Sequence, residues 1–273
     1  MQELNNKIGI LGNGFVGNAL YEGMRYTNKC CVYDVDKERS ISSLEDIATC
    51  SFIFVCVPTP QGEDGRVVME YVHSAIDSLS CYDISNSILV VKSTVEPGTC
   101  KALQNKYGIP VVSNPEFLTE RVAHHDFKFP RCIIIGGDEL PRNALKRLYE
   151  KSIFPSESDT GPIFRYYLTD STTSELIKYT TNCFFSVKIG FMNEMKQVCD
   201  AAEGNWSELV EGFMHEGRVF PQHLDVPGHD GQPGFGGKCF PKDLSAIIEY
   251  AQSKNIDPKV MIGARDKNKE LRG

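Results

Sequence analysis

The 273 residues, 41% hydrophobic and 24% charged, have the balance of a soluble globular chain with room for one large domain or two smaller ones. A net charge of -7 argues against a general binder of nucleic acid or of membrane surfaces. No apolar run reaches the roughly 18 residues of a membrane span, and "MQELNNKIGILG" lacks the basic flank and apolar stretch of a secretion signal. The ten cysteines contain no C-x-x-C pair, so they point to neither a metal site nor a disulfide framework, and a cytoplasmic location is expected.

The chain opens with an apolar run, Ile8 to Leu11, which reads as a strand. Gly12-Asn13-Gly14-Phe15-Val16-Gly17 follows, then a helical pattern through Tyr26, and the next apolar run, "CCVYDVD", ends at Asp34. A lone G-x-G-x-x-G is a weak signal, but strand, loop, helix and a terminal acid together form a dinucleotide-binding unit. Gly12 allows the tight turn, Gly14 lets a pyrophosphate approach, and Gly17 lets helix and strand pack closely. The helix N-terminus offers N–H groups and positive dipole to the phosphates. Asp34 would accept the adenosine ribose hydroxyls and repel a 2′-phosphate, which favours NAD over NADP.

Further apolar runs, "SFIFVCVPTP", "SILVVKST", "IPVVS" and "CIIIGG", alternate with helical stretches. Their near-continuous apolar character predicts parallel strands covered on both faces, a doubly wound α/β sheet. Ligands bind such sheets at strand ends. The ends here carry Pro58 and Thr59, then Ser93 and Thr94 within "KSTVEPG", then Asn114, Glu116, Phe117, Leu118 and Glu120 within "NPEFLTER". If a helix begins near Pro115, Glu116 and Glu120 lie one turn apart and face one site.

After "FPSESDTGPIF" the pattern becomes helical. One helix of roughly thirty residues is predicted from an N-cap at Asp170 or Ser171 to a stop at Gly204-Asn205. Leu176, Cys183, Phe184, Val187, Phe191, Met195 and Val198 are assigned to one face, and Lys178 and Asn182 are i, i+4 neighbours. The boundary is placed between a nucleotide-binding domain, 1–168, and an all-helical domain, 169–273. In "GFGGKCFPKD" the glycines Gly234, Gly236 and Gly237 strip the backbone before Cys239, and Pro241 suits the first turn of a helix. Cys239 would then sit at a helix N-terminus beside Lys238 and Lys242, a setting that favours the thiolate nucleophile.

These motifs, in this order along nearly the whole chain, resemble the UDP-glucose/GDP-mannose dehydrogenase family. The resemblance implies a four-electron oxidation of the C6 alcohol of a nucleotide sugar by NAD, most simply UDP-glucose to UDP-glucuronate, through a thiohemiacetal and a thioester on Cys239. GDP-mannose or a UDP-N-acetylhexosamine is the alternative substrate, and a non-catalytic binding protein is the alternative from another class. In the implied roles Thr94, Glu116 and Asp243 handle water and protons, while Lys178 and Asn182 stabilise oxyanions. Glu120 lies near the nicotinamide and the sugar, Lys242 near the cofactor, and the Gly234-Phe235-Gly236-Gly237 loop wraps the hexose. The resemblance also implies a homodimer along the long helix. Family members usually continue into a second Rossmann-like domain; this chain stops at "VMIGARDKNKELRG", so a separate nucleotide-binding chain is a possible partner. Arg218, His223 and Asp230, in a longer approach to the cysteine loop, are candidate substitute contacts.

Overall fold

The computed structural model describes residues 7–118, 122–152 and 165–273. They form two compact units, Met1–Pro60 with Val68–Lys178, and Gln61–Val67 with Tyr179–Gly273.

The first unit is built on seven strands: β1 (Lys7–Leu11), β2 (Lys29–Tyr33), β3 (Phe52–Val55), β4 (Ile88–Val91), β5 (Val111–Ser113), β6 (Cys132–Gly136) and β7 (Arg165–Thr169). Their order is β2-β1-β3-β4-β5-β6-β7. Because β2 and β3 flank β1 on opposite sides, the winding reverses at β1, the kind of place where such sheets open a crevice for ligands. Successive residues of each central strand point to opposite faces. Ile8, Ile10, Phe54 and Val90 enter one buried cluster with Leu20, Phe127 and Leu145. Leu11, Ile53, Val55 and Leu89 enter another with Ile47, Ile76 and Leu103. Two covered faces explain why the runs are apolar throughout.

The predicted parallel sheet needs one correction. β5 meets β6 antiparallel through the single pair Ser113 and Gly136, while β6 and β7 are parallel. An apolar run such as "CIIIG" carries no mark of strand direction. β7 escapes a reading of the sequence, because "RYYLT" has neither an apolar run nor a clean alternation.

The helices around the sheet are α1 (Phe15–Met24), α2 (Leu44–Ala48), α3 (Glu70–Asp77), α4 (Thr99–Tyr107), α5 (Ala123–Lys128) and α6 (Glu139–Ser152). The helix expected near Pro115 does not form there: residues 114–118 have no regular structure and α5 begins at Ala123. Asn114 N–H is bonded to the Val91 carbonyl, and the Glu116 carboxylate accepts Leu118 N–H at 2.7 Å, which holds the segment as a turn. Glu116 therefore does not stand at the start of a helix, and Glu120 lies outside the described residues.

The long helix, α7 (Ser171–Ala201), starts where predicted. Asp170 accepts Thr173 N–H at 2.9 Å and the Thr173 hydroxyl at 2.6 Å, an N-terminal cap. Its apolar residues share one face but are not buried alike. Cys183 and Val187 pack inward with Ile189, whereas Leu176, Phe184, Phe191 and Val198 are 38%, 63%, 52% and 57% exposed. At 100° per residue the seven residues assigned to that face fall within an arc of about 120°, so it is their burial along the helix, and not their face, that differs. The second unit continues with α8 (Trp206–His215), α9 (Phe240–Ser253) and α10 (Lys259–Arg272). Phe235, Leu244, Ile248 and Ala264 close its core. Among the described residues no helix is long and apolar enough to cross a membrane.

Candidate active site

The dinucleotide loop joins β1 to α1. Gly12 has φ of +92°, and a Cβ there would fall 2.9 Å from the Cys56 carbonyl oxygen. A Cβ on Gly17 would lie 1.9 Å from the Gly12 carbonyl oxygen, so helix and loop meet there with no room for a side chain. A Cβ on Gly14 would meet nothing within 4 Å, which leaves that side open for a phosphate. α1 has neither a capping side chain nor an acid in its first turn, so its N–H groups are available to an anion. Phe15 is exposed and Val16 packs inward. Half-buried Asp34 accepts Asn13 N–H at 2.6 Å and Asp36 N–H at 2.9 Å. These bonds aim its carboxylate without using all its lone pairs. The residues fit a dinucleotide: Gly12 to Gly17 with the start of α1 would hold the pyrophosphate, and Asp34 the ribose.

The strand ends bring further predicted residues together. The Ser93 hydroxyl donates to the Val57 carbonyl at 2.6 Å, tying the Ser93-Thr94 turn to the segment with exposed Pro58 and buried Thr59. A residue that no motif marks holds the start of the helix that follows. Glu175, 3% exposed, accepts Gly98 N–H at 2.5 Å and Cys100 N–H at 2.8 Å, capping α4 with a side chain of α7. Burial raises its pKa, against the two backbone donors that lower it. On the next strand end, Lys178 donates to the Glu116 carbonyl at 2.6 Å and to its carboxylate at 3.1 Å, with side chains only 6% and 11% exposed. The Lys178 ammonium also lies 5.2 Å from the centre of the Phe117 ring, while Leu118 packs into the core.

In the second unit Cys239 is exposed and occupies the N-cap of α9, with Pro241 in the first turn. Asp243 follows one turn later and is 1% exposed. Its Oδ2 accepts the Asn182 amide at 2.6 Å and its Oδ1 accepts Lys242. Lys242 is thus turned onto Asp243 rather than left as a lone positive charge beside the thiol. The glycines act differently from one another. Gly234 has φ of +72° and packs against Asn268, where a Cβ would lie 2.4 Å from Oδ1. Gly237 has φ of +75°, and a Cβ there would meet nothing within 4 Å, so the backbone is open two residues before Cys239.

The loop is moored by residues that motif reading does not single out. Asn193 accepts Gly234 N–H at 3.1 Å, Asn268 pairs with both backbone groups of Phe235, and Arg272 donates to the Gly234 carbonyl at 3.1 Å. Asp230 is paired with Arg272 at 2.8 Å, Arg218 is exposed and paired with Glu216, and the His223 ring lies against Phe185 and Phe240. Burial, with Lys188 nearby, lowers the His223 pKa.

A nucleotide-binding sheet paired with a helical unit carrying a loop-borne thiol defines an NAD-linked dehydrogenase architecture. Residues 38–153 match the NAD-binding domain of the UDP-glucose/GDP-mannose dehydrogenase family and residues 172–270 match its central domain. The chain belongs to that family, and NAD is its cofactor. The UDP-glucose 6-dehydrogenase of Rickettsia felis is 35% identical over 231 residues, covering 82% of this chain and 49% of that protein. UDP-glucose 6-dehydrogenase YwqF of Bacillus subtilis is 32% identical over 220 residues, covering 77% and 47%. The chain spans about half the length of the curated relatives it matches. Among solved structures, a UDP-glucose dehydrogenase from Pyrobaculum islandicum superposes with a TM-score of 0.82 at 25% identity, covering 97% of this chain and 68% of that one. A UDP-D-ManNAc dehydrogenase from Pyrococcus horikoshii shares the fold, with a TM-score of 0.81 at 22% identity and the same coverage.

Proposed function

We propose that the protein oxidises the C6 alcohol of a nucleotide sugar to the carboxylate, with UDP-glucose as substrate and Cys239 as covalent nucleophile. The observation that carries this reading is an exposed thiol at the N-cap of α9, behind a glycine loop whose backbone is open at Gly237. Relatives named UDP-glucose 6-dehydrogenase support the choice of sugar nucleotide. The functional domains are 1–168 for NAD and 169–273 for the thiol.

Bound NAD supplies the hydride acceptor for both oxidations, alcohol to aldehyde and thiohemiacetal to thioester. The Cys239 thiolate forms the C–S bond to the aldehyde carbon, and Lys178 and Asn182 stabilise the charge that develops on oxygen. Glu116 and Asp243, with Thr94, activate the water that attacks the thioester; the C–S bond then breaks and Cys239 leaves as thiolate. The Gly234–Gly237 loop wraps the hexose, Glu120 is assigned to the nicotinamide and the sugar, and Lys242 to the cofactor. The exposed line Phe184, Phe191 and Val198 on α7 supports a homodimer as the working form.

The test is stoichiometric. Protein, NAD and each of UDP-glucose, GDP-mannose and a UDP-N-acetylhexosamine are mixed, and NADH is counted against sugar consumed. Two NADH per UDP-glucose with release of the acid is the expected result. NAD binding without turnover of any sugar nucleotide overturns the catalytic reading in favour of a binding protein. Recovery of turnover on adding a separately expressed nucleotide-binding chain would place further substrate contacts there.

A further inference from the structure

Beneath the Asn114 to Leu118 turn lies a buried polar network that the proposed chemistry does not use. Lys92 follows β4 and is 5% exposed. Its ammonium donates to Asn114 Oδ1 at 3.0 Å and to the Asn114 carbonyl at 3.1 Å. Asn114, 1% exposed, gives its amide N–H to the Ile134 carbonyl at 2.8 Å, and its Oδ1 also accepts the Tyr149 hydroxyl at 2.6 Å. Two residues on, Glu116 receives Lys178 on both its carbonyl and its carboxylate. A neutral donor would serve to anchor an asparagine; an ammonium in this place carries a desolvation cost that a neutral group avoids. The charged and titratable groups facing Lys92 are the Cys56 thiol after β3, Glu116 on the turn and Lys178 on α7, with Tyr149 of α6 reached through Asn114.

We propose that Lys92 is a positioning residue, a buried cation that locks Asn114 and so fixes the turn presenting Glu116 to Lys178. The proposal rests on the reading of Glu116 and Lys178 as site residues. Burial brings the Lys92 pKa down to about 8, with Cys56 and Glu116 opposing the fall and Lys178 adding to it. A neutral amine keeps two N–H donors for Asn114 but no longer balances the Glu116 carboxylate.

Lys92→Met keeps the apolar stem and removes both charge and donors. Turnover should fall by about 10-fold or more through misplacement of Glu116 and Lys178, with KM for NAD changed by less than about 2-fold. A second readout needs no turnover. With lysine labelled at Cε, the Lys92 resonance should titrate near pH 8, move down in Glu116→Gln and move up in Lys178→Met. A Lys92 signal that titrates with exposed lysines near about 10.4, or that ignores both substitutions, overturns the proposal. If Lys92→Met does not fold, Tyr149→Phe removes one donor from Asn114 Oδ1 and should lower turnover with KM for NAD unchanged. Wild-type turnover in a folded Lys92→Met protein, or in Tyr149→Phe, also overturns it. A coupled Lys92 titration in a protein that turns over no sugar nucleotide supports the positioning role while overturning the substrate reading.

Discussion

Cys239 stands apart from most of the cysteines in its setting. Burial pushes the thiols of Cys30, Cys50, Cys56 and Cys183 up to about 12, so they stay protonated and inert at neutral pH. Cys239 and Cys81 are the exposed ones, and Cys81 has no glycine loop before it. Cys239→Ser should retain fold and NAD binding yet lose acid formation, because a serine hydroxyl is far less acidic than a thiol. Any adduct it does form is an ester, slower to hydrolyse than a thioester, and intact mass after mixing with NAD and UDP-glucose would reveal it. Cys81→Ser should behave as wild type; equal loss in both would remove Cys239 from the mechanism. Asp34 makes a second residue-level prediction. Its carboxylate holds Asn13 and Asp36 and, in the role proposed for it, accepts the ribose hydroxyls, so Asp34→Ala should weaken NAD binding by about 1.5–3 kcal/mol for each charged hydrogen bond lost. Calorimetric titration with NAD and NADP checks this, and equal use of NADP by the intact protein would refute the role given to Asp34.

The glycines of the first loop and Asp34 are legible in the sequence because their chemistry is local: turn, helix and acid follow one another within a single β-α-β stretch. Lys92, Glu175, Asn193, Asn268 and Arg272 are not, because their partners lie 22, 77, 41, 33 and 38 residues away along the chain. A lone lysine in an apolar run or an asparagine on a helix carries no mark of such a partner.

At the level of elements, period and apolar content identify β1 to β6 and the length of α7, since burial on two faces or one leaves that imprint. The turn at Asn114 reads falsely as a helix because Pro115 and two glutamates imitate a helix start. α7 departs from its reading in a more useful way. Its apolar residues divide between the core of the second unit and a line, Phe184, Phe191 and Val198, repeating every seven residues in solvent. Seven-residue spacing suits a helix that meets another of its kind. Sedimentation at micromolar concentration should show a dimer, and Phe191→Glu should shift it toward monomer without loss of fold, since the side chain is half exposed. A monomeric wild-type protein would leave that line unexplained and the dimer reading without support. α8 is different: it carries Trp206, Leu209, Val210 and Phe213, yet none of its residues is buried.

For the whole molecule, the assignment of Gln61–Val67 to the helical unit matters most. The segment is a tight turn closed by an antiparallel bridge between Gln61 and Val67, and it is tied to α9 by the Gln61 amide, 3.1 Å from the Ser245 hydroxyl. Gly65, at φ of +82°, fits against Ser245 and Glu249 where a larger residue would not. A ribosome makes this turn long before it makes α9. At roughly 5–20 residues per second, the turn waits on the order of ten seconds or more for the residues it packs against. Until α9 is made, the turn lacks the surface that holds it. Chains halted at residue 178 should be nicked by protease within 61–67, while chains that reach residue 273 resist there; equal resistance in both would mean that α9 is not what holds the turn.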